Sequence, residues 1–372
     1  MKVLIAADKF KGSLTAEQVC KAVETGVNEV YPDAVCEHVP LADGGEGTLA
    51  ILMQVLKLDQ IEVVVKDPLF RPVTATYGRK EDKAYIEMAQ ASGFELLADH
   101  ERSATKTSSF GTGELIRHAL AHGAKEVYLF VGGSATNDGG LGLASALGFK
   151  FYEEDGKEVN PVGGNLLSIK SIEAETFDSR VTFELITDVK NTLLGPQGAS
   201  FQYGPQKGAS NEDVLVLDQG LSHMSNLIQD RFGRDVSMIP GSGAAGGLGL
   251  AVLGLLNGRI RNGIESILDF VDFESRLRDQ DLVITGEGKM DQQTLQGKVV
   301  FGVSRAARNE GVQVVAVCGD SMLSADQQKQ LALVDILKLK TEQLTLAYCV
   351  QNAASLIKQR VAEFLKTTNT AS

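Results

Sequence analysis

Two groups of short, continuous apolar runs, one at each end of the chain, constrain the fold more than any other feature. VLIAA at 3–7 has no polar alternation, which suits a strand buried on both faces of a parallel sheet. Thr15 then caps a helix through Tyr31, with Glu17 and Gln18 in its first turn. Pro32 and Asp33 stop it, and Val35 to Leu41 reads as a second strand. ADGGEGT follows, and Thr48 to Leu56 is apolar enough for a helix. From Leu282 the same grammar returns as LVIT, a helix near Val299–Asn309, VQVVAVCG, a helix near Ala325–Leu331, DILKL, and a closing helix to about Phe364. The tail TTNTAS is expected to be unstructured. Strands alternating with helices make a parallel sheet, so the first two and last three strands form one five-stranded, doubly wound sheet.

The middle of the chain follows a different pattern. Ile61–Lys66, Val73–Tyr77 and Ala84–Met88 are strands joined by short turns, which means antiparallel pairing. A helix at Gly113–His122, a strand at Val127–Val131, a helix to about Leu147 and a strand at Phe183–Thr187 come next. The expected organisation is α/β throughout: residues 1–60 plus 275–372 form one doubly wound domain, and 61–274 form a mixed-sheet domain inserted into it.

Several function classes are excluded by composition. The 36 Lys and Arg against 48 Asp and Glu give a formal net charge of −12, with no basic block, which argues against a nucleic-acid partner. No apolar run reaches the roughly 18 residues of a membrane span, and the opening MKVLIAADKFKG reads as a strand rather than a secretory segment. Cys20, Cys36, Cys318 and Cys349 lack paired spacing, as expected of reduced thiols in a cytoplasmic protein. His118 and His122 stand at helical spacing without a third ligand, so a helix face is favoured over a metal site.

Acids recur in the loops that follow strands: Asp8, Asp43 and Glu46, Asp138, Asp188, then Glu287 and Asp291. In parallel α/β sheets these loops build the ligand site. Lys9, Lys11, Lys190, Lys207, Lys289 and Lys298 stand in the same glycine-rich segments. Carboxylates, lysines and exposed glycine N–H groups are the parts a phosphoryl transferase needs, because its catalysis is mostly positioning and electrostatics. Mg2+ is the usual cation for carboxylates near phosphates. No Walker A loop is present. PGSGAAGGLG at 240–249 matches G-x-G-x-x-G, with Glu265 at a suitable distance. It supports a competing reading, an NAD(P)-dependent oxidoreductase of a small hydroxy acid.

DKFKGSL (8–14), DGGEGT (43–48), GGSATNDGG (132–140), GPQKGA (204–209), GAAGGLG (243–249) and TGEGKMDQQTLQGK (285–298) together resemble the type-1 glycerate kinase family. The resemblance spans nearly the whole chain, in the family's order. It implies ATP-dependent phosphorylation of D-glycerate with Mg2+, giving 2-phosphoglycerate in preference to 3-phosphoglycerate. It also implies a flavodoxin-like domain with a second α/β domain inserted and a cleft between them. The sequence departs from the family pattern at Ala7 and Lys9, where Pro and Ser are usual, and at Thr192, where Pro is usual.

On that footing Asp8, Lys11 and Ser13 are expected to line the site, with Asp43, Gly44, Gly45 and Glu46 from the next loop. Asp188 and Asn191 are candidate Mg2+ or substrate ligands, with Asp188 the metal candidate. Gly286, Glu287 and Asp291 face them, and either Asp188 or Asp291 is the general base. Arg71 in DPLFRP is a candidate substrate-carboxylate clamp, since guanidinium binds carboxylate bidentately. Gly133, Ser134, Thr136 and Asn137 are expected to meet ATP phosphate or glycerate at a helix start, with Asp138 capping the helix. D-Glycerate and ATP are the expected small-molecule partners, and both monomer and homodimer are left open.

Overall fold

The computed structural model describes residues 1–174, 178 and 180–369. The chain divides into two compact units, Met1–Asp43 with Asn262–Ser372, and Gly44–Arg261. This division falls earlier in the chain than the strand pattern alone suggests. The helix Thr48–Val55 packs on strands of the second unit, and the helices Gly263–Phe270 and Phe273–Leu277 pack on Val299–Asn309 of the first.

In chain order the first unit opens with β1 (Lys2–Ala7) and β2 (Val35–His38). The second unit supplies β3 (Asp59–Lys66), β4 (Pro72–Lys80), β5 (Lys83–Glu87), β6 (Glu126–Phe130), β7 (Lys150–Tyr152), β8 (Ser171–Glu173), β9 (Thr182–Ile186) and β10 (Arg259–Arg261). The chain then returns for β11 (Leu282–Met290), β12 (Val314–Ser321) and β13 (Asp335–Lys338).

The first unit is a five-stranded parallel sheet in the order β13-β12-β11-β1-β2. Parallel neighbours need helical crossovers, and Ala16–Val30, Val299–Asn309 and Ala325–Gln330 supply them. Thr15 caps the first with a capping box: its hydroxyl accepts from the Gln18 N–H at 3.2 Å, and its own N–H donates to Gln18 Oε1 at 2.9 Å. That helix crosses the closing helix Ala353–Asn369 at Gly26, where a Cβ would lie 2.6 Å from the Lys358 carbonyl. The closing helix therefore includes Thr367 and Thr368, part of the tail expected to be unstructured; residues 370–372 lie outside the described residues. Val3, Ile5, Ala7, Ile284, Val315 and Val317 form the core of this layer.

The second unit has a six-stranded mixed sheet in the order β10-β9-β6-β5-β4-β3, antiparallel across β3–β4–β5 and parallel from β5 to β10. β7 and β8 form a separate antiparallel pair. The two-sheet arrangement, one parallel and one mixed, is the α/β class the sequence implies. No strand forms at 236–239, where the competing oxidoreductase reading needs one; this segment is turn. Among the described residues no helix is long and apolar enough to cross a membrane, and none of the four cysteines is in a disulfide.

Candidate active site

In the first unit, β1 continues to β2 on one side while β11 continues to β12 on the other. The boundary between β1 and β11 is thus a topological switch point, where open α/β sheets bind ligands at the carboxyl ends of their strands. Ala7 stands opposite Gly286 there, and the Asp8 N–H donates to the Gly286 carbonyl at 2.8 Å. Asp8 therefore emerges from β1 just as Glu287 follows on β11. A side chain at Gly286 would strike the Val317 carbonyl, since its Cβ would lie 2.6 Å away.

Both carboxyls are shifted up to about 7. For Asp8 burial is the main cause, followed by the negative charge of Asp43, against the Lys9 N–H, Lys9 and Lys298. For Glu287 burial again leads, with Asp8 and Asp291 raising it and the Thr294 hydroxyl and Lys298 lowering it. Glu287 is 3 % exposed. Thr294 donates its hydroxyl to Glu287 Oε1 and accepts from the Asp291 N–H at 3.0 Å. Asp291 Oδ1 accepts from the Gln293 N–H at 2.9 Å, and Oδ2 lies 3.3 Å from Lys289 Nζ.

The 8–14 loop is pinned by Phe10, which is buried in the core and exchanges backbone hydrogen bonds with Leu14. Lys11 is left exposed beside it. Ser13 donates its hydroxyl to the Val350 carbonyl at 2.6 Å, so it also ties the loop to the C-terminal helices.

In the second unit, the loop Gly44–Glu46 meets the loop after β6. A Cβ at Gly132 would lie 2.7 Å from the Glu46 nitrogen, and one at Gly133 3.7 Å from Glu46 Oε2. Gly45, Glu46 and Gly133 are thus brought together. Ser134, Thr136 and Asn137 are turned inward instead, and the last two are fully buried. Asn137 donates to Ser200 Oγ at 2.9 Å. Lys207, 3 % exposed, donates to Ser134 Oγ and to the Thr136 carbonyl, both at 2.7 Å. Burial lowers its ammonium to about 7, against the pull of Asp138.

The helix start expected to meet an anion is already filled. Asp138 accepts from the Ser109 N–H and hydroxyl at 2.7 Å each, from Gly140 N–H at 3.1 Å and from Gly142 N–H at 3.2 Å. The capping role expected of Asp138 holds; the free anion cradle does not, because this carboxylate occupies it.

Two further expectations meet competing partners. Arg71 donates Nε to Asp67 and Nη1 to Glu101, both at 2.6 Å. These hydrogen bonds hold its guanidinium above the ordinary range. Its fork serves the chain's own carboxylates, so the substrate-clamp reading is not supported. Asn191 donates to the Gln197 carbonyl at 2.7 Å and accepts from the Tyr203 hydroxyl at 2.7 Å. It braces its own loop. Asp188 stands half-buried just past β9.

The glycines of 241–246 are also occupied. A Cβ at Gly243 would lie 2.2 Å from the Thr192 carbonyl, and one at Gly246 2.0 Å from the Thr136 carbonyl. They allow backbone to approach backbone, leaving no cradle for a pyrophosphate. Among the described residues no three His, Cys, Asp or Glu side chains gather as a metal site. Sequence reasoning missed Thr294; its only local signal is the D-x-x-T spacing from Asp291 inside a motif already singled out.

The chain matches the glycerate kinase family model over residues 3–369. It belongs to the glycerate kinase family. It is similar to a curated glycerate kinase from Bacillus cereus, 45% identical over 324 residues, which cover 86% of this chain and 85% of the relative. It is similar also to the glycerate 2-kinase of Escherichia coli K12, 41% identical over 324 residues with the same shares covered. A crystal structure provisionally described as glycerate kinase 2 of Salmonella typhimurium LT2 superposes with a TM-score of 0.89 at 38% identity, covering 100% of this chain and 99% of that one. As a member of the family the chain is a phosphotransferase.

Proposed function

We propose that this chain phosphorylates D-glycerate with ATP, placing the phosphoryl group on the 2-hydroxyl. The observation that carries the reading is the Asp8–Glu287 pair at the switch point of a chain in this family. Two carboxyl groups shifted to near neutral at the carboxyl ends of adjacent parallel strands suit proton removal from an alcohol. The choice of the 2-hydroxyl rests on the likeness to the Escherichia coli glycerate 2-kinase.

Phosphoryl transfer asks the protein mainly to align donor and acceptor and to balance charge. Lys11, exposed beside Asp8, supplies a cation for a phosphate or the glycerate carboxylate. Mg2+ takes few protein carboxylates and keeps water and phosphate oxygens, and Asp188, half-buried just past β9, is the carboxylate that would hold it. Bound there, the ion would neutralise charge on the phosphates.

The reaction then belongs in the cytoplasm, where ATP is available. A coupled ADP-release assay with D-glycerate, with and without Mg2+, tests the activity. Phosphorus NMR of the product tests the position. No ADP release above the glycerate-free blank, or a 3-phosphoglycerate product, would overturn the corresponding part of the reading.

A further inference from the structure

Glu287 stands apart from the other buried acids in how little it is given. Oε1 takes the Thr294 hydroxyl, but Oε2 is buried without any hydrogen-bond partner. The side chain is held firmly all the same. Thr294 is fully buried, its hydroxyl accepts from the Asp291 N–H, and its own N–H donates to the Asp291 carbonyl at 3.0 Å. The carboxylate is thus aimed, with one oxygen left bare in a place where bare oxygens are costly.

What Oε2 could accept is limited by its surroundings. Asp8 and Asp291 act on Glu287, and Asp43 acts on Asp8, so a phosphate oxygen would meet repulsion. Lys298 is the cation acting on both Asp8 and Glu287; Lys9 acts on Asp8, Lys289 is drawn to Asp291, and Cys318 lies beside Glu287 on β12. Among the described residues no three His, Cys, Asp or Glu side chains gather around Glu287 as a metal site. A neutral donor suits an oxygen among so many acids, and an alcohol hydroxyl is one.

We propose that Glu287 is a catalytic residue whose Oε2 accepts the proton of the attacking glycerate hydroxyl, with Thr294 and Asp291 as positioning residues. The proposal rests on the glycerate kinase reading above. In the step, the hydroxyl oxygen forms a bond to the γ-phosphorus. The bond from that phosphorus to the β–γ bridging oxygen breaks, and its electron pair leaves on ADP. The hydroxyl proton passes to Glu287 Oε2 and from there to water. The carboxyl's shift to about 7 suits a base working near neutral pH. Asp291, one of two bases expected from sequence, has a partner on each oxygen.

The test is ADP release by the full chain between pH 5.5 and 9, with kcat and KM resolved for D-glycerate and ATP. Glu287→Gln should lower kcat about 10²–10⁴-fold and leave the KM for ATP within about threefold, as expected for a transition-state role. The wild-type acid limb should fall near pH 7. Thr294→Val removes a hydrogen bond that favours the charged carboxylate, so the limb should move to higher pH; Thr294→Ser should restore it.

A Glu287→Gln enzyme with kcat within threefold of wild type overturns the proposal. So does a Thr294→Val enzyme whose acid limb does not move, and this pair decides the matter if Glu287→Gln fails to fold. A wild-type chain that releases no ADP on D-glycerate overturns the substrate reading and this proposal together. Normal wild-type turnover with a silent Glu287→Gln overturns this proposal alone.

Discussion

Asp138 in the second unit and Glu287 in the first are both buried carboxyls in glycine-rich segments at or after parallel strands. Burial pushes both upward. Asp138 receives four donors from Ser109, Gly140 and Gly142. Glu287 receives one and keeps an oxygen bare. A carboxylate fully satisfied by its own chain organises that chain; one left half-satisfied is available to something else. The number of donors, not burial or charge, separates a structural acid from a candidate reactive one.

The sharpest way to break this comparison is Glu287→Gln, with its expected 10²–10⁴-fold loss of kcat and no fall in melting temperature. Asp138→Ala should do the reverse. It abandons four buried donors and should cost about 3 kcal/mol or more of stability in urea unfolding, while the folded fraction keeps its KM values. If Asp138→Ala lost turnover with stability intact, Asp138 would join the chemistry and the contrast would fail.

A smaller effect concerns pH. Asp8 and Glu287 move from ordinary values of 3.8 and 4.5 to about 7 in the folded chain. Between about pH 4 and 7 the folded state then holds more protons than the unfolded one, so these groups make stability fall as pH rises through that window. Lys207 moves from 10.5 down to about 7. There the unfolded chain holds the extra proton, so Lys207 makes stability rise between about pH 7 and 10.5. Thermal melts across pH should show Glu287→Gln flattening the first slope and Lys207→Met flattening the second. The smallest effect is expected at Arg71. With its guanidinium committed to Asp67 and Glu101, Arg71→Ala should leave the KM for D-glycerate within about twofold; a tenfold rise would return it to the site.

Much of this was legible in the sequence. The apolar runs VLIAA, LVIT and VQVVAVCG marked β1, β11 and β12, and turns without helices marked β3 to β5 as antiparallel. The acids after strands were found because their positions follow from the strand pattern. What could not be read was which acids and cations were already taken. Asp138 is filled by Ser109, Arg71 by Glu101 and Asn191 by Tyr203. These partners lie on other segments, and nothing local announces them. The glycine run at 241–246 misled for the same reason, since close approach of backbone to backbone demands glycine as surely as a phosphate does. Thr294 was overlooked because a threonine in a turn has many ordinary uses.

The pairing of Val3 with Leu282 also has a consequence for how the chain is made. β1 is synthesised before the second unit, but its central neighbour β11 comes only after the whole of Gly44–Arg261. The second unit is continuous in sequence and can assemble its sheet while translation proceeds. β1 meanwhile has only β2 to pair with, and its apolar edge waits. Long-range pairing of this kind is slow to form, so the first unit should acquire order last, and truncation anywhere before β11 should leave β1 without the strand that completes its core.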